Sequence, residues 1–267
     1  MSTKIEWCDE TINPIQDKRK GKSGRGYHCT KCSPGCLNCY AEQINKIRGN
    51  GKPFDNSPVE FELLQSEINK LFKGRKPKSF FIQSMGDIFH KDVPLSFIER
   101  LFKVFDFLAM DLGSTKQTVI VLTKQAARMS ESLSMINLNA DYSWDEIFHD
   151  HIYLGLTVCN QAEWDEKGKI FLQIPGNKII SHEPALETIH YGEGLSQIKV
   201  LISGGENAHG ARPSWPDTFR ADRDQCAEAG IDFFFKGYGN YKGEKDWTIP
   251  SGRLLDGIEH NDLPWMK

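Results

Sequence analysis

Four cysteines, Cys29, Cys32, Cys36 and Cys39, fall within eleven residues of one another. In a chain without export features, closely spaced thiolates read as metal ligands rather than as a disulfide framework. Taken as C-x2-C-x3-C-x2-C, the segment offers four thiolates to a structural zinc ion. Zinc ribbons separate their cysteine pairs by a dozen or more residues so that two hairpins can face each other, and three residues between pairs is cramped. Taken as C-x3-C-x2-C, residues Cys32, Cys36 and Cys39 supply three thiolates, the ligand type that holds iron–sulfur clusters. Cys8, Cys159 and Cys226 are isolated and read as small apolar core residues.

A second set of reactive side chains follows short apolar runs. Ser84, Gly86 and Asp87 follow Phe80-Phe81-Ile82, and Lys124 follows Val119-Ile120-Val121-Leu122. Cys159 and Asn160 follow Ile152–Leu156, and His182-Glu183-Pro184 follows Lys178-Ile179-Ile180. Gly204-Gly205-Glu206, with Arg212 beyond it, follows Val200-Leu201-Ile202, and Lys236 closes Ile231–Phe235. The cations Lys124, Arg212 and Lys236 suit a phosphate or carboxylate ligand. In β/α barrels such polar segments, at the C-terminal ends of the strands, carry the chemistry.

The elements that must position these groups are strands and helices in alternation. The six runs are β-branched or aromatic blocks without polar alternation, as strands buried on both faces read. Ile5-Glu6-Trp7 is a seventh candidate. Helical stripes are expected over 59–72, 95–111 and 217–229, with shorter ones over 40–48, 124–136 and 161–172. Gly74, Gly113 and Gly230 stand as stops. No Gly-x-Gly-x-x-Gly follows the early strands, so a dinucleotide-binding sheet is disfavoured. The expected fold is α/β: an incomplete (β/α) TIM-like barrel of about six to seven strands, forming a single domain over 1–267.

Composition bounds the function. The chain has 267 residues, 39% hydrophobic and 26% charged, enough to bury a sizeable core, which excludes disorder. No run approaches the ~20 apolar residues of a membrane helix, and MSTKIEWCDE holds no signal-peptide core. A cytoplasmic protein without a membrane partner is expected. Net charge is -3, yet the first fifty residues carry nine Lys/Arg against five Asp/Glu. The excess forms a basic loop at 17–31, with six cations from Lys18 to Lys31 and flexible Gly21, Gly24 and Gly26. Such a loop can follow a nucleic-acid backbone. His149-Asp150-His151 is a minor metal candidate.

Taken together, several segments carry a resemblance. They are Ile5-Glu6-Trp7 with Asn13-Pro14, Ser33–Glu42, Ser84–His90, Leu122-Thr123-Lys124, Ser181–Pro184, Gly204–Glu206 with Ala211-Arg212-Pro213, and Phe233–Lys236. On these the chain is identified as a member of the phage gp thirty-seven/gp sixty-eight family. That family resembles radical S-adenosylmethionine proteins and, more distantly, spore photoproduct lyase. The resemblance spans nearly the whole chain. It implies a radical-S-adenosylmethionine-like barrel with a 4Fe–4S cluster, S-adenosylmethionine, an electron donor, and a nucleic acid or nucleotide as substrate.

The implied ligands are Cys36 and Cys39 with either Cys32 or Cys29. The family places its first cysteine seven positions before the second, which matches Cys29, and commonly has an aliphatic residue where Cys32 stands. The aromatic residue often found before the third cysteine of radical enzymes is replaced by Asn38, and Tyr40 follows. Ser84, Gly86 and Asp87 are implied at the methionine end of the cofactor, with Tyr40 and Glu183 beside it. Gly204, Gly205, Glu206, Lys124, Arg212 and Lys236 are implied at the substrate. The alternative is a non-catalytic nucleic-acid-binding protein with zinc in the cysteine segment.

Overall fold

A computed structural model describes residues 5–73, 76–110, 117–139, 150–242 and 251–266. Its seven-stranded sheet is built from β1 (Glu10–Ile12), β4 (Ser79–Ile82), β5 (Thr118–Thr123), β6 (Ile152–Thr157), β7 (Asn177–His182), β8 (Val200–Gly204) and β9 (Asp232–Gly237). The strand order is β1-β4-β5-β6-β7-β8-β9. The pairs β1–β4, β4–β5, β7–β8 and β8–β9 are parallel. Every residue of β4, β6 and β8 is buried, as the unbroken apolar runs predict. Helices intervene: α1 (Tyr40–Arg48), α2 (Gln65–Ile68), α3 (Leu95–Met110), α4 (Ala126–Asn139), α5 (Gln161–Leu172) and α6 (Pro216–Ala229). The mixed α/β class is therefore the observed one.

Two compact units share the chain. One comprises 1–32, 41–154 and 174–177, and the other 33–40, 155–173 and 178–267. In the first, Ile98, Leu101, Phe102, Phe105 and Leu108 form the buried stripe of α3. Ala109, Gly113 and Gly74, which belong to the expected helix and its stops, have side chains or positions outside the described residues. His149 also lies outside them, and its companion His151 is buried with Nε2 3.0 Å from the Phe105 carbonyl.

Two expectations for this unit are corrected. The first edge strand is Glu10–Ile12, paired with Phe80–Ile82, rather than Ile5–Trp7. Trp7 lies in a turn and is buried against Phe81, with ring centroids 4.8 Å apart. Asp9 fixes the entry to the strand, its Oδ2 accepting from the Ser79 N–H at 2.8 Å. The helix expected over 59–72 is instead strand β3 (Phe61–Leu63), α2 and a 3-10 turn (Asn69–Phe72). β3 pairs antiparallel with β2 (Ile15–Asp17), and Leu64 stays extended, its N–H donating to the Pro14 carbonyl at 2.7 Å. The apolar spacing of 61, 64, 68 and 71 buries Phe61, Ile68 and Leu71 all the same, so a helical period alone did not distinguish the two geometries.

In the second unit, Pro216 opens α6, and Gly230 closes it at φ 68°, donating its N–H back to Ala227. Only glycine adopts this left-handed cap without steric cost. Asn160 caps α5, accepting the Glu163 N–H at 2.9 Å. A buried polar network ties α6 to the sheet: the His182 Nδ1–H donates to Asp222 Oδ2 at 2.7 Å, and Ser203 Oγ donates to the same oxygen at 2.6 Å.

Candidate functional site

Cys36 and Cys39 lie in the second unit, on the loop 33–40 that leads into α1. Pro34–Cys36 form a 3-10 turn, and Ser33 caps it by accepting the Gly35 N–H at 3.1 Å. Both cysteines are half-buried, and Tyr40 begins α1 partly exposed. Three consecutive strands hold the loop, each through the residue two positions beyond its end. After β6, Cys159 Sγ lies 3.6 Å from Ser33 Oγ. After β7, Pro184 packs on the turn, its Cδ 3.1 Å from where a Cβ on Gly35 would stand. After β8, Glu206 Oε2 accepts from Asn38 Nδ2 at 2.9 Å. Asn38 also donates to the Gly210 carbonyl at 2.9 Å.

Two buried carboxylates carry these links. Glu163 Oε2 accepts the Ser33 hydroxyl at 3.1 Å, the Cys159 thiol at 2.8 Å and the Cys159 N–H at 3.0 Å. Its other oxygen meets Lys167 Nζ at 2.5 Å. Burial pushes the Glu163 carboxyl up, but the Cys159, Lys167 and Ser33 donors outweigh it and leave it below the usual range. Burial and the neighbouring Glu163 push the Cys159 thiol up to about 11, so it is a protonated donor rather than a nucleophile. Glu206 accepts Arg212 Nη2 at 2.5 Å, Arg212 Nε at 3.1 Å and the Arg212 N–H at 2.8 Å. Here too burial acts upward, and Arg212 and then Asn38 hold the carboxyl below its ordinary value.

A pH dependence follows. Both carboxyls titrate lower folded than unfolded, so each adds stability that is full above the unfolded value and is lost as pH falls through the folded value. Denaturant midpoints should fall on acidification below about pH 4.5, the ordinary glutamate range. E163Q and E206Q should each flatten that fall in equilibrium unfolding. A slope identical to the parent's in both variants would contradict it.

The other expected site residues divide as follows. Glu183, joined to Pro184 by a cis peptide bond, forms an ion pair with Lys236. Gly205 permits close chain approach, since a Cβ there would stand 2.1 Å from the Tyr238 carbonyl oxygen. Gly204 is less crowded, with Lys236 Cβ 3.1 Å from the corresponding position.

In the first unit, Asp87 is buried. It accepts Thr123 Oγ1 at 2.7 and 2.9 Å, the Phe89 N–H at 2.9 Å and the Lys124 N–H at 3.2 Å. Burial raises its carboxyl against those donors, so its contribution to stability has the opposite sign, present at low pH and lost as pH rises. Ser84 Oγ meets the Asn13 amide at 3.3 Å, and Asn13 Oδ1 accepts the Met85 N–H at 2.8 Å. A Cβ on Gly86 would meet the His28 carbonyl oxygen at 3.1 Å. Cys29 is half-buried and Cys32 exposed.

The basic loop makes many contacts with its neighbours. Lys18 pairs with Glu60, Arg19 with Asp17, Lys20 with Glu62 and Lys31 with Glu42. A Cβ on Gly21 would stand 1.8 Å from the Gly49 carbonyl oxygen, and Ser23 Oγ donates to the Arg48 carbonyl at 2.6 Å. Four of its six cations are thus paired among the described residues, leaving Lys22 and Arg25 exposed at its tip.

Among the described residues, no group of three or more His, Cys, Asp or Glu side chains is gathered to hold a metal ion. The thiol donors are of the type that iron and zinc take, while a converged donor set is not part of this structure. Sequence reasoning missed Glu163 and Lys167, and placed Ser33, Asn38 and Cys159 near the site without a role. The i, i+4 spacings of Cys159 with Glu163 and of Glu163 with Lys167 were the local signals available.

These features define an α/β protein with parallel strand pairing, whose cysteine loop is fastened beyond the ends of β6, β7 and β8. The chain belongs to the family described as protein of unknown function DUF5131, whose model matches residues 2–264. No curated protein and no solved structure matches it.

Proposed function

We propose that this chain is a radical S-adenosylmethionine-like iron–sulfur enzyme on an incomplete (β/α) barrel, related to the phage gp thirty-seven/gp sixty-eight family. The observation that carries this reading is the fastening of the Cys36/Cys39 loop just beyond the C-terminal ends of three neighbouring strands, where barrel enzymes keep their chemistry. Cys36 and Cys39 would be ligands, with Cys29 or Cys32 as the third. When bound, such a cluster supplies an electron to the sulfonium of S-adenosylmethionine. The chain's own residues hold the loop in place through Ser33 and Asn38, and Glu183, Lys236, Glu206 and Arg212 supply charge at the strand ends. The substrate class we favour is a nucleic acid or nucleotide, in keeping with the resemblance to a DNA-lesion lyase. Lys22 and Arg25 are the cations of the basic loop left to meet phosphate.

Anaerobic reconstitution with iron and sulfide, followed by an assay for 5′-deoxyadenosine, tests the reading. A visible chromophore and formation of that product are expected, and a protein that takes up no iron would overturn it. Three ligands leave one of Cys29 and Cys32 dispensable, so C29A and C32A should differ in iron content, one near the parent and one near zero. Equal and complete loss from both would point to four thiolates.

A second reading, a zinc-bearing non-catalytic protein, draws on the internal pairing of the strand-end charges, Glu183 with Lys236 and Glu206 with Arg212. Metal analysis of protein purified anaerobically separates the two, since this reading requires zinc in place of iron.

A further inference from the structure

The Gly-Gly-Glu tripeptide after β8 has the residue types of a ligand-binding turn, yet its acid is directed at the protein's own cysteine loop. Glu206 is 4% exposed and accepts four contacts, three from Arg212 and one from Asn38. Asn38 stands between Cys36 and Cys39, so the amide that meets Glu206 is one residue from the second thiol and two from the first. The partners lie 168 residues apart in the chain. On the loop's far side, Glu163 takes the Ser33 hydroxyl. Two buried carboxylates therefore grip the loop, one at Ser33 before the first of these thiols and one at Asn38 between the two. Charge-assisted hydrogen bonds of this kind are shorter and stronger than neutral ones.

We infer that Glu206 and Glu163 are positioning residues that fix the Cys36/Cys39 loop, with Arg212 holding Glu206 aimed at Asn38. Glu206 would thus act through Asn38 rather than by touching cofactor or substrate. The effect on a cluster rests on the function proposed above; the grip on the thiols does not.

The test measures both. Alkylation of the metal-free protein by iodoacetamide, read cysteine by cysteine by mass spectrometry, reports how firmly the loop is held. In E206A and in N38A, modification of Cys36 and Cys39 should rise about tenfold, the equivalent of one lost charge-assisted hydrogen bond. Buried Cys226 should stay protected in both, which shows that the fold is intact. The double variant should exceed neither single one, because both changes break the same link. E206Q, which keeps an acceptor for Asn38 but loses the charge, should fall between parent and E206A.

After anaerobic reconstitution of parent and E206Q, a shift in the reduction potential of the visible chromophore is expected. Unchanged alkylation in E206A and N38A, or additive effects in the double variant, would overturn the inference. If the parent takes up no iron while alkylation still rises in the variants, the grip stands and the cluster reading falls. If the parent takes up iron and neither alkylation nor potential moves, the cluster reading stands and the grip falls.

Discussion

Cys36→Ala and Cys39→Ala are each expected to abolish the iron–sulfur chromophore of the reconstituted protein completely. Both residues belong to every parse of the cysteine segment, so no remaining cysteine can replace either one in a three-ligand site. The fold should survive, because it does not depend on these thiols. Neither is fully buried, and the loop keeps its fastenings through Ser33, Gly35 and Asn38. The expected stability change is within about 1 kcal/mol, because neither position is fully buried and neither change opens a core cavity. Far-UV circular dichroism and thermal melts of the metal-free variants check this half, and iron and sulfide analysis checks the other. A C36A protein that keeps full cluster content would show that the ligands lie elsewhere. A C36A protein that fails to fold would assign the loop a structural rather than a chemical role.

Gly205→Ala should be among the most damaging single-methyl changes in the second unit. Its added Cβ would stand 2.1 Å from the Tyr238 carbonyl oxygen and 2.6 Å from the carbonyl carbon. These are backbone atoms, so no side-chain rotation relieves the clash and one strand end must move. Overpacking of this kind costs about 3 kcal/mol or more. Gly204→Ala provides the comparison. The nearest atom to its Cβ is Lys236 Cβ at 3.1 Å, where small shifts suffice and the cost should be under about 1.5 kcal/mol. Urea unfolding of the two variants gives the ranking. If Gly205→Ala melts like the parent, the approach of β8 and β9 is looser than described. A loss of ligand binding at unchanged stability would assign the glycine to a ligand instead.

Much of the sheet was legible because its strands are nearly pure apolar blocks. Phe80–Ile82, Val119–Leu122, Val200–Ile202 and Phe233–Phe235 each fall inside a strand. The helices 40–48 and 161–172 coincide with α1 and α5 to the residue, and α6 adds only Pro216 to the expected range. Where the reading went astray, tertiary pairing had overridden local pattern. Phe61 and Leu64 keep helical spacing, but the backbone hydrogen bonds around them go to residues 14–17, 44 to 50 positions earlier in the chain and far outside any local window. Trp7 was apolar for its turn, not for a strand.

The site was legible by residue type and much less so by partner. The cysteine loop and the strand-end charges were identifiable because their types are chemical. That Asn38 meets Glu206, or Ser33 meets Glu163, could not be read, since nothing local links residues 130 or 168 positions apart. The Gly-Gly-Glu tripeptide illustrates the difficulty. Its glycine and its acid each have the type expected of a ligand site, yet one admits the Tyr238 carbonyl and the other holds a loop. The partners of the basic loop were hidden for the same reason, as Gly21 permits close approach to Gly49.

The separation between Asn38 and its anchor also has a consequence for biosynthesis. A ribosome adding about 5–20 residues per second releases the cysteine loop on the order of ten to thirty seconds before Glu206 is made. During that interval Cys36 and Cys39 are carried on a nascent chain that lacks Cys159, Glu163, Pro184 and Glu206, the residues that later fasten the loop. Oxidation or capture of a wrong metal at this stage would precede folding of the second unit. For the cluster proposed above, delivery after chain completion would follow, when the C-terminal strands have closed on the loop.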